Sequence, residues 1–167
     1  MVQLILAFAF AFNFLETGLG IGTNLPVGNL ERFFSPSASG SIYIAKKLPA
    51  GKLNLNYENS SFSGIGQPTY QLQLNQLTIE YSYPLFHRHK WSIPIHFGIG
   101  NIWLNRKLLL ATEKGVIQKG ELGVGSFENF GQTNFGAKFS LVGLYNLTER
   151  NSSAYFINLK ITLGYEF

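Results

Sequence analysis

The sequence has no cysteine, so thiolate metal sites and disulfide staples are excluded. Charge is scarce too. Asp, Glu, Lys and Arg make up 13% of the 167 residues, about half the share of an ordinary soluble domain. A chain so poor in charge has little with which to keep a large surface wet. Long apolar runs are also missing: after residue 15 none reaches the roughly 18 uncharged residues that a membrane helix requires. The net charge of +4 is mild and its lysines and arginines are scattered, which leaves no basic, aromatic-studded face for nucleic acid. The one dense basic spot, His87-Arg88-His89-Lys90, reads as a solvated turn. Its His-x-His pair has no third ligand, and the flanking Arg and Lys oppose a cation.

What is present points to β-structure. Aromatic residues are 15% of the chain and there are 18 glycines. Period-two segments alternate with Gly, Pro, Asn and Ser, and no helical stripe follows residue 15. Residues 16–167 read as one all-β domain, with an apolar segment at 1–15. That segment has the length of a signal-peptide core but lacks a basic start and a small-x-small cleavage site. Leu6, Phe8, Phe10 and Phe12 also alternate with Ala7, Ala9 and Ala11, as a strand would. A targeting segment is the preferred reading, and a piece of mature strand stays open.

Strands are expected at about 17–25, 40–48, 52–62, 70–85, 91–103, 133–147 and 157–167. In the fourth, the apolar phase changes from Tyr70, Leu72 and Leu74 to Leu77, Ile79, Tyr81 and Tyr83. The change suggests a bulge or a strand start near Asn75–Gln76. Residues 106–132 read either as a weak hairpin at Glu113-Lys114-Gly115 with a strand near 115–127, or as one long loop.

The fifth strand carries Trp91, Ile93, Ile95, Phe97, Ile99 and Trp103 on one face, and Ser92, Pro94, His96, Gly98 and Gly100 on the other. The two tryptophans are twelve steps apart, about 30 Å along the axis at roughly 3.3 Å per residue and a 40° tilt. That is near the thickness of a bilayer's hydrocarbon core, and Trp favours both of its interfaces. In the last strand Ile157, Leu159, Ile161, Leu163, Tyr165 and Phe167 alternate without error against Asn158, Lys160, Thr162, Gly164 and Glu166. The polar faces are small and glycine-rich, with single charges at Lys52, Glu58, Glu80, Lys138, Lys160 and Glu166. A soluble sandwich would wet such a face with many charges. The narrow lumen of an eight-stranded barrel requires small side chains, and there Glu58, Glu80, Lys138 and Lys160 are expected to pair, because an unpaired buried charge costs several kcal/mol. The apolar faces then meet lipid, with Trp91, Trp103, Tyr165 and Phe167 in the interfacial girdle.

At this point the chain resembles the small outer-membrane β-barrels of the OmpA/OmpX-like superfamily. Leu159 to Phe167, "LKITLGYEF", is similar to the C-terminal signal read by the outer-membrane barrel assembly machinery. Gly18 to Leu30, "GLGIGTNLPVGNL", looks like the first strand of such barrels. The resemblance implies a closed antiparallel up-and-down transmembrane barrel of eight strands, with short periplasmic turns and longer outer loops. It also implies a bacterial outer-membrane location. The expected partners are the bilayer and the assembly machinery, with no nucleic acid.

Chemistry finds little support in the sequence. His96 shares a face with Ser92, but four residues of strand separate them by about 13 Å. The glycines at 18–22 precede a proline and a loop where a phosphate site requires a helix. The sequons at 59–61, 146–148 and 151–153 match by chance in such composition. No catalytic, cofactor or metal residue is assigned. The expected function is an integral outer-membrane barrel with a structural or surface-interaction role and a lumen plugged by side chains. The alternatives are a lipid-modifying enzyme on the same barrel and a soluble lipocalin-like or sandwich binder.

Overall fold

The computed structural model describes residues 16–107, 112–145 and 154–167. The strands are β1 (Glu16–Val27), β2 (Ser37–Leu48), β3 (Gly51–Gly64), β4 (Gln67–Arg88), β5 (Trp91–Lys107), β6 (Thr112–Phe130), β7 (Thr133–Tyr145) and β8 (Ala154–Glu166). Each pairs antiparallel with the next. β8 returns to pair with β1 from Glu16↔Glu166 to Val27↔Tyr155, which closes an eight-stranded barrel in up-and-down order. Among the described residues no helix is long and apolar enough to cross a membrane. The 1–15 segment and the sequons at 146–148 and 151–153 lie outside the described residues.

Two ends of the barrel differ. The β2–β3, β4–β5 and β6–β7 connections are two-residue turns at one end, which also holds Glu16 and Phe167. The other end carries the longer β1–β2 connection, with a single 3-10 turn at Leu30–Arg32. Phe34 from that connection bridges to Gly64, and Ser35 N and Ile65 N donate to Ser63 O and Phe33 O at 2.9 Å. These bonds strap the connection onto the β3–β4 hairpin.

Several strands outrun their sequence-based bounds, and two expectations are settled. Residues 106–132 are no long loop. Among the described residues, 106–107 finish β5, 112–130 form β6 and 131–132 supply a turn, with β6 paired on both edges. Apolar patterning left this strand open against a loop because Gln118 and Gly120 interrupt its outer face and Lys119 and Glu121 occupy its inner one. Second, β4 runs through Asn75–Gln76 without a register shift. Leu72 and Leu74 lie on the same inner face as Gln76, Thr78 and Glu80. The apolar phase changes because the lumen changes character there. The β4 irregularity falls instead between Pro84 and Phe86, where Pro84 faces Pro94. Neither proline has an N–H to give the ladder, and an extra residue absorbs the mismatch.

Side chains alternate between two environments. Leu19, Ile21, Ile99, Leu122, Ile161 and Leu163 point outward and are exposed. The inner face is polar through most of its length, with an apolar cluster at the long-loop end made by Phe34, Phe62, Leu74, Ile102, Val142, Leu144 and Phe156. The rings of Phe34, Phe62 and Phe156 meet edge-on at 6.1 and 6.2 Å. This outward apolar band is the reverse of a lipocalin-like binder, whose apolar face lines the cavity. It makes the barrel a membrane-spanning one, since closure leaves no unpaired strand edge in hydrocarbon.

Ile161 lies on the outward face of β8 with 48% of its surface exposed. Ile161→Arg should lower the unfolding free energy by about 2–4 kcal/mol near the bilayer midplane. Urea titration in phosphatidylcholine vesicles measures this loss, and wild-type stability of the variant would reverse the facing.

Candidate functional site

Among the described residues, the buried charges gather on the inner face. β3 and β8 project Glu58 and Lys160 toward each other, and they form an ion pair. Asn24 Nδ2 and Asn158 Nδ2 also donate to Glu58 Oε1, at 3.2 and 2.9 Å. β4 and β7 bring Glu80 and Lys138 to 2.5 Å, and Asn54 Nδ2 donates to Glu80 Oε1 at 3.0 Å. Sequence reasoning placed these four charges on inner faces without assigning partners. It missed Lys119 and Glu121, paired at 3.0 Å within β6, because a strand and a loop were both left open there. It also missed Glu16, the first residue of β1, which accepts from Lys52 at 3.0 Å and from Tyr43 Oη at 2.9 Å. Four lysines thus meet four glutamates among the described lumen residues. The mutual attraction of each pair offsets a desolvation cost that neither member could bear alone.

The interior is not filled along its whole length. A cavity of about 350 Å³ opens at the turn end, between Lys47, Pro49, Phe127 and Asn129 at the mouth and Glu80, Lys138 and Lys160 deeper in. Small residues leave this space. Tyr43 lies across Gly18 and Gly164, where a Cβ would come within 2.4 Å of its ring and 2.2 Å of its hydroxyl. At the other end the apolar cluster closes the barrel.

His96, Ser140 and Glu121 meet beyond the cavity lining. His96 Nε2 is 2.8 Å from Ser140 Oγ, and Glu121 Oε1 is 3.8 Å from the same nitrogen. Ser92, the serine the sequence offered, is not the partner. The arrangement lacks the order of a nucleophile–base–orienter relay. The carboxylate and the hydroxyl crowd one ring nitrogen, Nδ1 has no partner among the described residues, and His96 and Ser140 are fully buried. Glu80, His96 and Glu121 also bring three donor atoms within 4.8 Å. Both carboxylates already hold lysines, and those cations oppose a metal.

On the outside, Trp91 and Trp103 occur on the exposed face of β5. Tyr165 and Phe167 make an edge-on contact at 5.3 Å at the end of β8. Above Trp103 the outward face turns polar. Asn75 Oδ1 accepts from Tyr57 Oη at 2.9 Å and from Asn59 Nδ2 at 2.8 Å.

A closed barrel with an apolar exterior and a charge-paired interior defines a transmembrane β-barrel of the outer-membrane type. The structure matches Neisserial surface protein A with a TM-score of 0.73 and 9% identity, over 92% of this chain and 97% of that one. It matches the N-terminal β-barrel domain of Pseudomonas aeruginosa OprF with a TM-score of 0.55 and 16% identity, over 91% and 98%. Ail, the attachment invasion locus protein of Yersinia pestis, matches at 0.55 and 10%, over 92% and 99%. These are small eight-stranded outer-membrane barrels, the OmpA/OmpX-like class, and at such identity the likeness is one of fold. No protein-family model and no curated protein matches the sequence.

Lys160→Met leaves Glu58 buried and unpaired, and should destabilise the barrel by about 3–5 kcal/mol. The double variant Glu58→Gln/Lys160→Met should recover most of that loss, because the carbonyl of the introduced amide can still accept from Asn24 and Asn158. Urea unfolding of the three proteins in the same vesicles gives both numbers.

Proposed function

We propose that the protein is an integral outer-membrane β-barrel without catalytic activity, acting as a structural scaffold that presents its long-loop end for surface interaction. The observation that carries this reading is the full burial of His96 and Ser140, which lie outside the lining of the open cavity. The four ion pairs balance one another, and the Ser140–His96 contact lies in a sealed interior that no lipid chain reaches. A lipid-modifying enzyme on this barrel would need its nucleophile on the lipid-facing wall or at a rim. The surface role draws support from strand length. β4 has 22 residues, about 55 Å of axial rise at a 40° tilt, against roughly 30 Å of hydrocarbon. Its excess lies at the long-loop end, where Gln71, Gln73 and Asn75 replace the apolar residues of its outer face. An esterase and phospholipase assay on the refolded protein tests the absence of catalysis. Turnover abolished by Ser140→Ala would overturn it.

In this reading Trp91 and Trp103 occupy opposite interfaces, each with about half its surface exposed, at 51% and 42%. Brominated lipids should quench both most strongly when the bromines sit near the headgroups. Stronger quenching from the bilayer centre would displace either ring from its interface.

Residues 159–167 act as the signal for the assembly machinery. Phe167 is 73% exposed, so its own packing contributes less than the roughly 1.5–3 kcal/mol of a fully buried ring. Deleting it should leave refolding into detergent nearly intact and sharply reduce the amount reaching the outer membrane in cells. Wild-type delivery of the truncated chain would refute the signal.

A further inference from the structure

The outward face of β5 and β6 changes abruptly beyond Trp103. The register pairs Trp103 with Val116, Asn105 with Lys114, and Lys107 with Thr112. Lys107 and Lys114 are therefore diagonal neighbours on one face, with backbones roughly 7–8 Å apart. Both are exposed. Neither has a hydrogen bond or ion pair among the described residues, in contrast to every lumen lysine described above. The nearest acid in sequence, Glu113, is on the opposite face and holds Arg106 at 3.2 Å. Among the described side chains beside the two lysines are three amides: Asn105 on the same strand as Lys107, and Gln71 and Gln73 from β4, which pair with Lys107 and Asn105. Asn105 Oδ1 has no partner among the described residues.

Height fixes what such a patch meets. Lys114 stands about 5 Å and Lys107 about 10 Å above Trp103 along the axis, at the same rise and tilt as before. With Trp103 at the edge of the hydrocarbon, both ammonium groups fall in the headgroup layer, and lysine stems reach down to it readily. The turn end is built differently. There Lys47 is held by Glu166 at 2.5 Å, and Lys90 lies over the Phe130 ring at 6.0 Å.

We propose that Lys107 and Lys114, with the amides of Gln71, Gln73 and Asn105 around them, form a binding site for a phosphomonoester-bearing lipid headgroup in the leaflet at the long-loop end. Lipid A, with phosphates on its sugars, has this chemistry. The two lysines supply adjacent positive charges for a doubly charged phosphate, and the amides supply donors for its oxygens. This inference rests on the membrane-spanning reading but not on the absence of catalysis.

The test uses the full chain refolded into phosphatidylcholine vesicles containing 10 mol% lipid A or 10 mol% phosphatidylglycerol, followed by detergent extraction and native mass spectrometry of bound lipid. Mobility on an unboiled gel reports insertion separately. The wild type should retain lipid A in preference to phosphatidylglycerol. Lys107→Gln/Lys114→Gln should insert normally and lose about 30-fold in lipid A retention, the effect of removing two cations near a membrane surface. Lys47→Gln, at the other end, should retain lipid A as the wild type does. Normal insertion with equal retention by the double variant would overturn the site. So would retention of phosphatidylglycerol as strong as that of lipid A, since a single negative charge would then suffice. Failure of the wild type to insert in either vesicle would instead defeat the membrane-spanning reading, and the site with it.

Discussion

Pairing of β1 with β8 is the constraint on which the rest of this structure depends. A strand edge in hydrocarbon leaves backbone N–H and C=O groups with no partner, at several kcal/mol each. The chain avoids this by pairing β1 with β8 over twelve register pairs. Closure with only eight strands then fixes the width of the interior. Everything inside must fit a lumen that side chains can nearly fill, and everything outside must suit lipid.

The chain solves the interior in two ways along its axis. Toward the turn end and through the middle, the lumen holds lysine–glutamate pairs tied together by Asn24, Asn54, Asn158 and Tyr43. Toward the long-loop end it holds phenylalanines and branched aliphatics, with Phe34 folded in from the β1–β2 connection. The first solution demands near-perfect charge balance, because a buried ion without its partner costs far more than a lost contact. The second requires only shape and excludes water from that end. The cavity at the turn end remains where glycines make room for the Tyr43 ring and the facing side chains do not meet.

The exterior shows the complementary logic. Along β5 the outer face runs apolar from Trp91 to Ile99, admits Asn101, and ends at Trp103 before Asn105 and Lys107. On β4 the same change comes at Asn75, which ties Tyr57 and Asn59 together at the top of the band. These polar ends belong to strands that continue past the hydrocarbon.

The sequence by itself determined the alternation, and with it the class of fold. Period two depends only on which residues neighbour each other along the chain, so β5 and β8 were legible residue by residue. The facing of Glu58, Glu80, Lys138 and Lys160 was legible for the same reason. β6 was legible only as one of two readings, because Gln118 and Gly120 break its outer pattern and the Lys119 ammonium finds Gln76 of β4 across the lumen, which local patterning cannot see. The apparent break in β4 arose likewise from reading apolar residues as outward, when Leu72 and Leu74 face an apolar stretch of lumen. Only the tertiary structure decided who meets whom inside: Lys138 with Glu80, Lys160 with Glu58, and His96 with Ser140 in place of Ser92. Partnership across a barrel depends on register and shear summed over several strands, and one residue of slip in any of them would exchange every partner beyond it.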